Sequence, residues 1–250
     1  MMKKGLFIVF AVVLGFGIFI QSPGDVAAID ANQSRNLEPD QSANRYGFHN
    51  SEALIKKRAE ELGIKTKGKD TETLAREVYE AEIKRAAKEL GIKTEGKDID
   101  ELADKVHHEK VKQMAKKLGI KTEGKDPETL AKEVYEAKLK QKAEELGIKT
   151  DDKDMESIKQ EIFKHYLKKE ADKLGVDMKG KDEYTIAKEI QDKKIMRSAE
   201  KLGLDTNGKN PEQLLDEIMN KHAVRAKELN LFPFEGRKNS FHQDPHHMGK

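Results

Sequence analysis

Lysines recur at fixed places in this chain, always beside short glycine-containing links. Lys65 and Lys69 flank the first link, Lys93 and Lys97 the second, and Lys121 and Lys125 the third. Lys153, Lys181 and Lys209 hold the corresponding place in the next three. Each stands close to an Asp or Asn that reads as the start of a helix. Free N–H groups and the positive dipole end make such a start favourable for anions. The chemistry would be a repeated phosphate-binding edge, for nucleic acid or for a cell-wall polymer such as teichoic acid. The competing reading is that these lysines are solvated and balanced locally by the Asp residues and by Glu95 or Glu123. Lys+Arg (48) against Asp+Glu (46) supports balance, because the chain as a whole exerts no pull on a polyanion. Aromatic platforms on which single-stranded bases would stack are missing from the links.

A second group is the histidines near the end, in "EGRKNSFHQDPHHMGK". His242, His246 and His247 lie beside Asp244 and have the ligand chemistry for a divalent metal. The stretch is irregular, and nothing in it would orient the imidazoles, so a solvated tail is the simpler reading. "DTNGKNPEQ" (205–213) has its glycine at the wrong offset for a calcium loop and lacks the closing Glu. We expect no cofactor.

Catalytic signatures are missing as well. The sequence holds no nucleophile elbow, HExxH, P-loop or GxGxxG pattern. With no Cys, thiolate chemistry and Cys-based zinc sites are excluded. The many carboxylates fall three or four residues from lysines, as partners on exposed helix faces. The chain reads as a non-enzyme.

What must position these residues is a repeat. "LGIKTEGKD" occurs at 90–98 and again, letter for letter, at 118–126. The glycine after the leucine falls at Gly63, Gly91, Gly119, Gly147, Gly175 and Gly203, a constant step of 28 residues. A fixed period in this range marks an array of supersecondary units. A degenerate seventh version, "ELNLFPFEG", places Asn230 in the glycine slot.

The caps define each unit. Asp70, Asp98, Asp126, Asp154, Asp182 and Asn210 read as N-caps. Pro127 and Pro211 follow two of them at the first helical position, where a missing N–H is harmless. Glu101 and Gln213 suit the third position of a capping box. Gly63 and its equivalents suit the left-handed position that closes a helix, and the next aliphatic residue folds back on the last turn. The motif is therefore a stop, a short extended link and a start, between helices of about 20 residues.

Within 71–90, Leu74, Val78 and Ala81 form one apolar stripe. Tyr79, Ile83, Ala86, Ala87 and Leu90 form another, centred roughly 150° away at the helical rotation. One stripe suffices for a surface helix. Two staggered stripes imply that each helix serves two modules, its first half with the preceding helix and its second half with the next. His107 falls where other repeats have Tyr79, Tyr135 and Phe163, so it reads as a packing substitute, with His108 more exposed. The expected fold is all-α, a solenoid-like or zigzag array of 28-residue helix–link–helix repeats. The charged fraction of 38% suits an extended array better than a deep-cored enzyme.

"LGIKTEGKDPETLAKEV" (118–134) resembles the core of the SAP motif and the related LEM and HeH motifs, and the small N-terminal domain of transcription terminator Rho. The resemblance covers 51–236, one motif per repeat. It implies helix–extended link–helix units. It also implies DNA or RNA as the usual partner of the family, and protein for some members.

The N-terminus has its own character. "MMKK" precedes the apolar run "GLFIVFAVVLGFGIFI" (5–20), and "QSPGDVAA" ends in small residues. This is the layout of a secretory signal peptide, with cleavage expected after Ala28. The alternative is an uncleaved anchor, although 16 apolar residues are short for a bilayer span. The expected organisation is a signal peptide at 1–28, a flexible lead-in at 29–50, the array at 51–236 and a disordered His-containing tail at 237–250. The expected role is exported, structural or protein-binding, at the cell surface or outside the cell. The partner would be a protein or a cell-surface polymer, with nucleic acid less favoured and no membrane association after cleavage. The alternative is an anion-binding module working through the link lysines.

Overall fold

The computed structural model describes residues 51–235. The signal-like segment, the lead-in and His242, His246 and His247 lie outside the described residues. Within them are eight helices and no strand. These are α1 (Glu52–Glu61), α2 (Thr71–Glu89), α3 (Ile99–Lys117), α4 (Pro127–Glu145), α5 (Met155–Leu174), α6 (Glu183–Lys201), α7 (Pro211–Lys221) and α8 (Ala223–Glu228). None of the helices among the described residues is long and apolar enough to cross a membrane.

The helices start where the caps place them. Asp126 Oδ1 accepts from the Thr129 backbone N–H at 2.9 Å, and Asp70, Asp154 and Asp182 accept from Thr73, Ser157 and Thr185 in the same way, each at 2.7 Å. Of the two expected capping boxes, the one between Asn210 and Gln213 forms. Glu101 pairs instead with Lys105, a charged donor that competes with the backbone N–H for the same carboxylate.

They stop by a common device. Gly119 N donates to Lys116 O at 3.2 Å, and Ile120 N reaches back to Ala115 O at 2.8 Å, which is the Schellman pattern. Gly119 sits at φ +71°, and a Cβ at this position would meet nothing within 4 Å, so only the backbone dictates glycine there. Gly119→Val should therefore cost roughly 1 kcal/mol or more through the left-handed backbone alone, with Gly119→Asn milder. Thermal melts of the two variants check this ordering. The degenerate seventh stop shows why Asn is tolerated: Asn230 takes φ +50°.

The links differ from the extended form expected. A backbone bond from Lys69 N to Thr66 O (3.3 Å) closes a turn, and the equivalent bond recurs at Lys153, Lys181 and Lys209. The second glycine of the link supplies the left-handed residue of that turn; in the fourth link Asp152 does so at φ +59°.

The described residues form two compact units, 58–170 and 51–57 with 171–235. In the first unit, each link gathers one core. Tyr79, Ile83 and Ala87 of α2 pack with Leu102, Ala103 and Val106 of α3. Val111 and Ala115 of α3 pack with Leu130 and Val134 of α4. Leu139 and Ala143 of α4 pack with Ile158 and Ile162 of α5. Helix α3 thus contributes its first half to one core and its second half to the next, as the two stripes require. The core repeats in columns: Ala59, Ala87, Ala115, Ala143, Ala171 and Ala199 are all fully buried, as are Leu74, Leu102, Leu130, Ile158 and Leu214.

In the second unit, Ile195 and Ala199 of α6 pack with Leu214 and Ile218 of α7 and with Ala223, Ala226, Leu231 and Phe234. The last long helix of the pattern is broken at His222 into α7 and α8. This unit also holds a contact that the 28-residue period does not imply. Leu54 of α1 packs on this core, Ser51 Oγ donates to Met219 O at 3.1 Å, and Lys57 pairs with Glu228 at 2.7 Å. The start of α1 closes on residues some 170 positions later, whereas the other cores join neighbours.

Candidate functional site

The link lysines are the residues that sequence alone proposes for binding, and the structure gives each a definite setting. In five links the lysine before the cap reaches over the first turns of the next helix to a glutamate eight residues later. Lys153 meets Glu161, Lys181 meets Glu189 and Lys209 meets Glu217, all at 2.6 Å. Lys69 pairs with Glu77 and Lys125 with Glu133 in the same way. The spacing follows from the fold: the cap turns the chain, and a residue two helical turns in comes to lie beside the link. These lysines are half-buried, whereas Lys65, Lys93 and Lys121 are exposed.

The second link breaks the rule. The residue eight after Lys97 is Lys105, not a carboxylate. Lys105 turns to Glu101. Its ammonium stands beside Lys97 and, with some burial and the nearby Lys93, holds Lys97 below the ordinary lysine value.

The cap carboxylates are tuned by the same geometry. Backbone and hydroxyl donors of Thr73 and of Thr185 hold Asp70 and Asp182 below the ordinary carboxylate value, and Thr129 does the same for Asp126, its hydroxyl first. These groups stabilise the fold above the carboxylate range, and that contribution is lost as pH falls through their lowered values.

His107 is a different kind of group. It is half-buried on α3, as the packing reading requires, and His108 beside it is half-buried as well. Burial, ahead of the nearby His108 and Lys110 charges, pushes His107 below the ordinary histidine value of 6.5, with Asp104 opposing. A histidine held neutral in the folded state stabilises it above its unfolded pKa. That contribution fades as pH falls through the folded value. His107→Tyr, the residue of the first and third repeats, should therefore flatten the decline in stability between about pH 7 and 5. Urea unfolding at those two pH values checks it: an unchanged decline would mean that His107 does not carry it.

Tyr79 shares this environment. Burial, then Asp100 and Asp104, push its phenol up to about 12, so it stays protonated. Among the described residues no group of three or more His, Asp or Glu side chains could hold a metal ion. Sequence reasoning misses the eight-residue ion pairs because it looks only three and four residues along the helix. The constant Lys-to-Glu offset is the available signal.

No family model, curated protein or solved structure matches the chain.

Proposed function

We propose that this chain is an exported, non-catalytic repeat protein, built of SAP-like units and serving as a structural or protein-binding array at the cell surface or outside the cell. One observation carries the reading: the recurring ion pair between a link lysine and a helix glutamate. It commits the half-buried cation of five links to an internal carboxylate. A link edge with matched charge suits contact with a protein surface better than tracking of a polyanion. The carboxylates support the non-catalytic half of the proposal, since they are engaged as caps and as lysine partners on half-exposed helix faces. Export rests on the N-terminal apolar run and the small residues that follow it.

The second link favours one further reading. Lys97 beside Lys105, with Lys93 nearby, is a site where an anion would relieve like-charge repulsion. Heparin and DNA-cellulose columns separate the two. The protein-binding reading requires the chain to leave both columns in the low-salt wash. Retention that weakens steeply with rising salt would overturn it in favour of polyanion binding. N-terminal sequencing of secreted material should begin at Ile29; recovery of the intact, membrane-bound chain would overturn export by cleavage.

A further inference from the structure

A shallow cleft in the second unit brings several cations together. It is lined by Lys173 at the end of α5, by Lys194, Arg197 and Lys201 on α6, and by Glu235, with Leu231 as its apolar wall. The three α6 cations are spaced by three and four residues, so they share one face of the helix. Several lysines on other helix faces pair with a carboxylate at that spacing, as Lys56 does with Glu52 and Lys142 with Glu145. Around Arg197 those positions hold Lys193, Lys194, Glu200 and Lys201. Neither Arg197 nor Lys201 makes an ion pair among the described residues.

The cleft already holds one anionic group. Glu235 reaches in from the segment after Phe234, and its carboxylate lies 3.3 Å from Lys194 Nζ. The Lys194 side chain is only 12% exposed, a burial that an ammonium tolerates when an anion stands beside it. The cleft lining thus holds four cations and one carboxylate; Lys173 and Lys194 are engaged, and Arg197 and Lys201 are the two cations with no ion pair among the described residues.

The place in the repeat is not accidental. A second depression, on α3, is lined by Lys110, Gln113, Met114 and Lys117. These are the positions of Lys194, Arg197, Ser198 and Lys201 three repeats earlier. Lys138, one repeat after Lys110, is held below the ordinary lysine value by burial and then by the Lys117 charge. The repeat thus builds a groove at this position in both units. In the second unit it carries an arginine fork, further lysines and an internal carboxylate.

We propose that this cleft binds a phosphate group and that Glu235 is the internal occupant it displaces. A carboxylate satisfies part of the charge; a phosphate carries more charge and more acceptor oxygens, and can engage the Arg197 fork together with the flanking lysines. The proposal does not use the link lysines; because a phosphate site would itself hold the chain on heparin or DNA-cellulose at low salt, the column test of the protein-binding reading is run on the Arg197→Ala chain.

Amide shifts of the full chain, titrated at low salt with inorganic phosphate and separately with a glycerol phosphate oligomer, test it. Shifts at Lys194–Lys201 and at Glu235 are expected in at least one titration; the tighter of the two identifies free phosphate or a phosphate polymer as the source. Glu235→Gln should tighten binding in proportion to the time that Glu235 occupies the cleft. Arg197→Ala should weaken it about tenfold, the scale of one charge-assisted contact, while Lys140→Ala, at an exposed lysine of α4 outside the cleft, leaves it unchanged. Both side chains are surface groups, and an unchanged helical circular dichroism spectrum confirms that the variants fold. Shifts scattered over all lysines, no shifts in either titration, or a Glu235→Gln variant that binds no tighter would overturn the proposal.

Discussion

Leu130→Ala is expected to lower the unfolding free energy by about 2–5 kcal/mol, the range for removing a fully buried leucine from a core that cannot collapse. Leu130 is fully buried between the second half of α3 and the first half of α4, against Val111, Ala115 and Val134. Backbone on both sides is fixed by the cap at Asp126 and the stop at Gly119, so the walls have little freedom to close on the space. Urea unfolding followed by circular dichroism measures the loss. A change under about 1 kcal/mol would mean that the site is far looser than its burial implies.

Ala115→Phe should be comparably damaging from the opposite direction, about 3 kcal/mol, at the upper end of overpacking. Ala115 is fully buried, and its carbonyl accepts from both Leu118 N (3.1 Å) and Ile120 N (2.8 Å). The residue is where the returning link lies closest to the helix it has just left. A phenyl ring there would have to displace Val111, Leu130 and Val134, the buried side chains packed around it, whereas a serine adds a single oxygen. The same alanine stands at the same point of every repeat from Ala59 to Ala199, which is the reason for its uniform size. Melting temperatures of Ala115→Phe and Ala115→Ser test the size argument. A phenylalanine variant as stable as the serine one would refute it.

The repeat makes most of the fold legible. Leu74 and Val78 against Ile83 and Ala87 mark two stripes in the sequence, and these residues are buried in the structure. The caps and stops are local chemistry, readable from Asp126, Pro127 and Gly119 alone. Three features are not readable. The turn in each link depends on the backbone at Gly68 and its equivalents, which the letters allow but do not require. The Lys–Glu pairs span eight residues because a cap bends the chain between them, so a straight-helix offset misses them. The contact of Ser51, Leu54 and Lys57 with α7 and α8 joins distant segments, and periodicity carries information only about neighbours. For the site, the regular lysines are visible in the letters, but their partners decide what they can do. "KKIMRSAEK" (193–201) resembles the rest of a charged helix, and its shortage of spaced carboxylates gains meaning only beside Lys173 and Glu235.

A helix that gives each half to a different core cannot be removed without opening both. Stability should then accumulate with repeat number, as nearest-neighbour interfaces add. Thermal melts by circular dichroism on two fragments test this most directly. Residues 71–117 contain α2, α3 and the one core between them; residues 71–174 contain α2 to α5 and three successive cores. A shared array predicts a marginal short fragment and a longer one that melts cooperatively at a clearly higher temperature. Equal melting temperatures would make each link an autonomous bead and contradict the shared core.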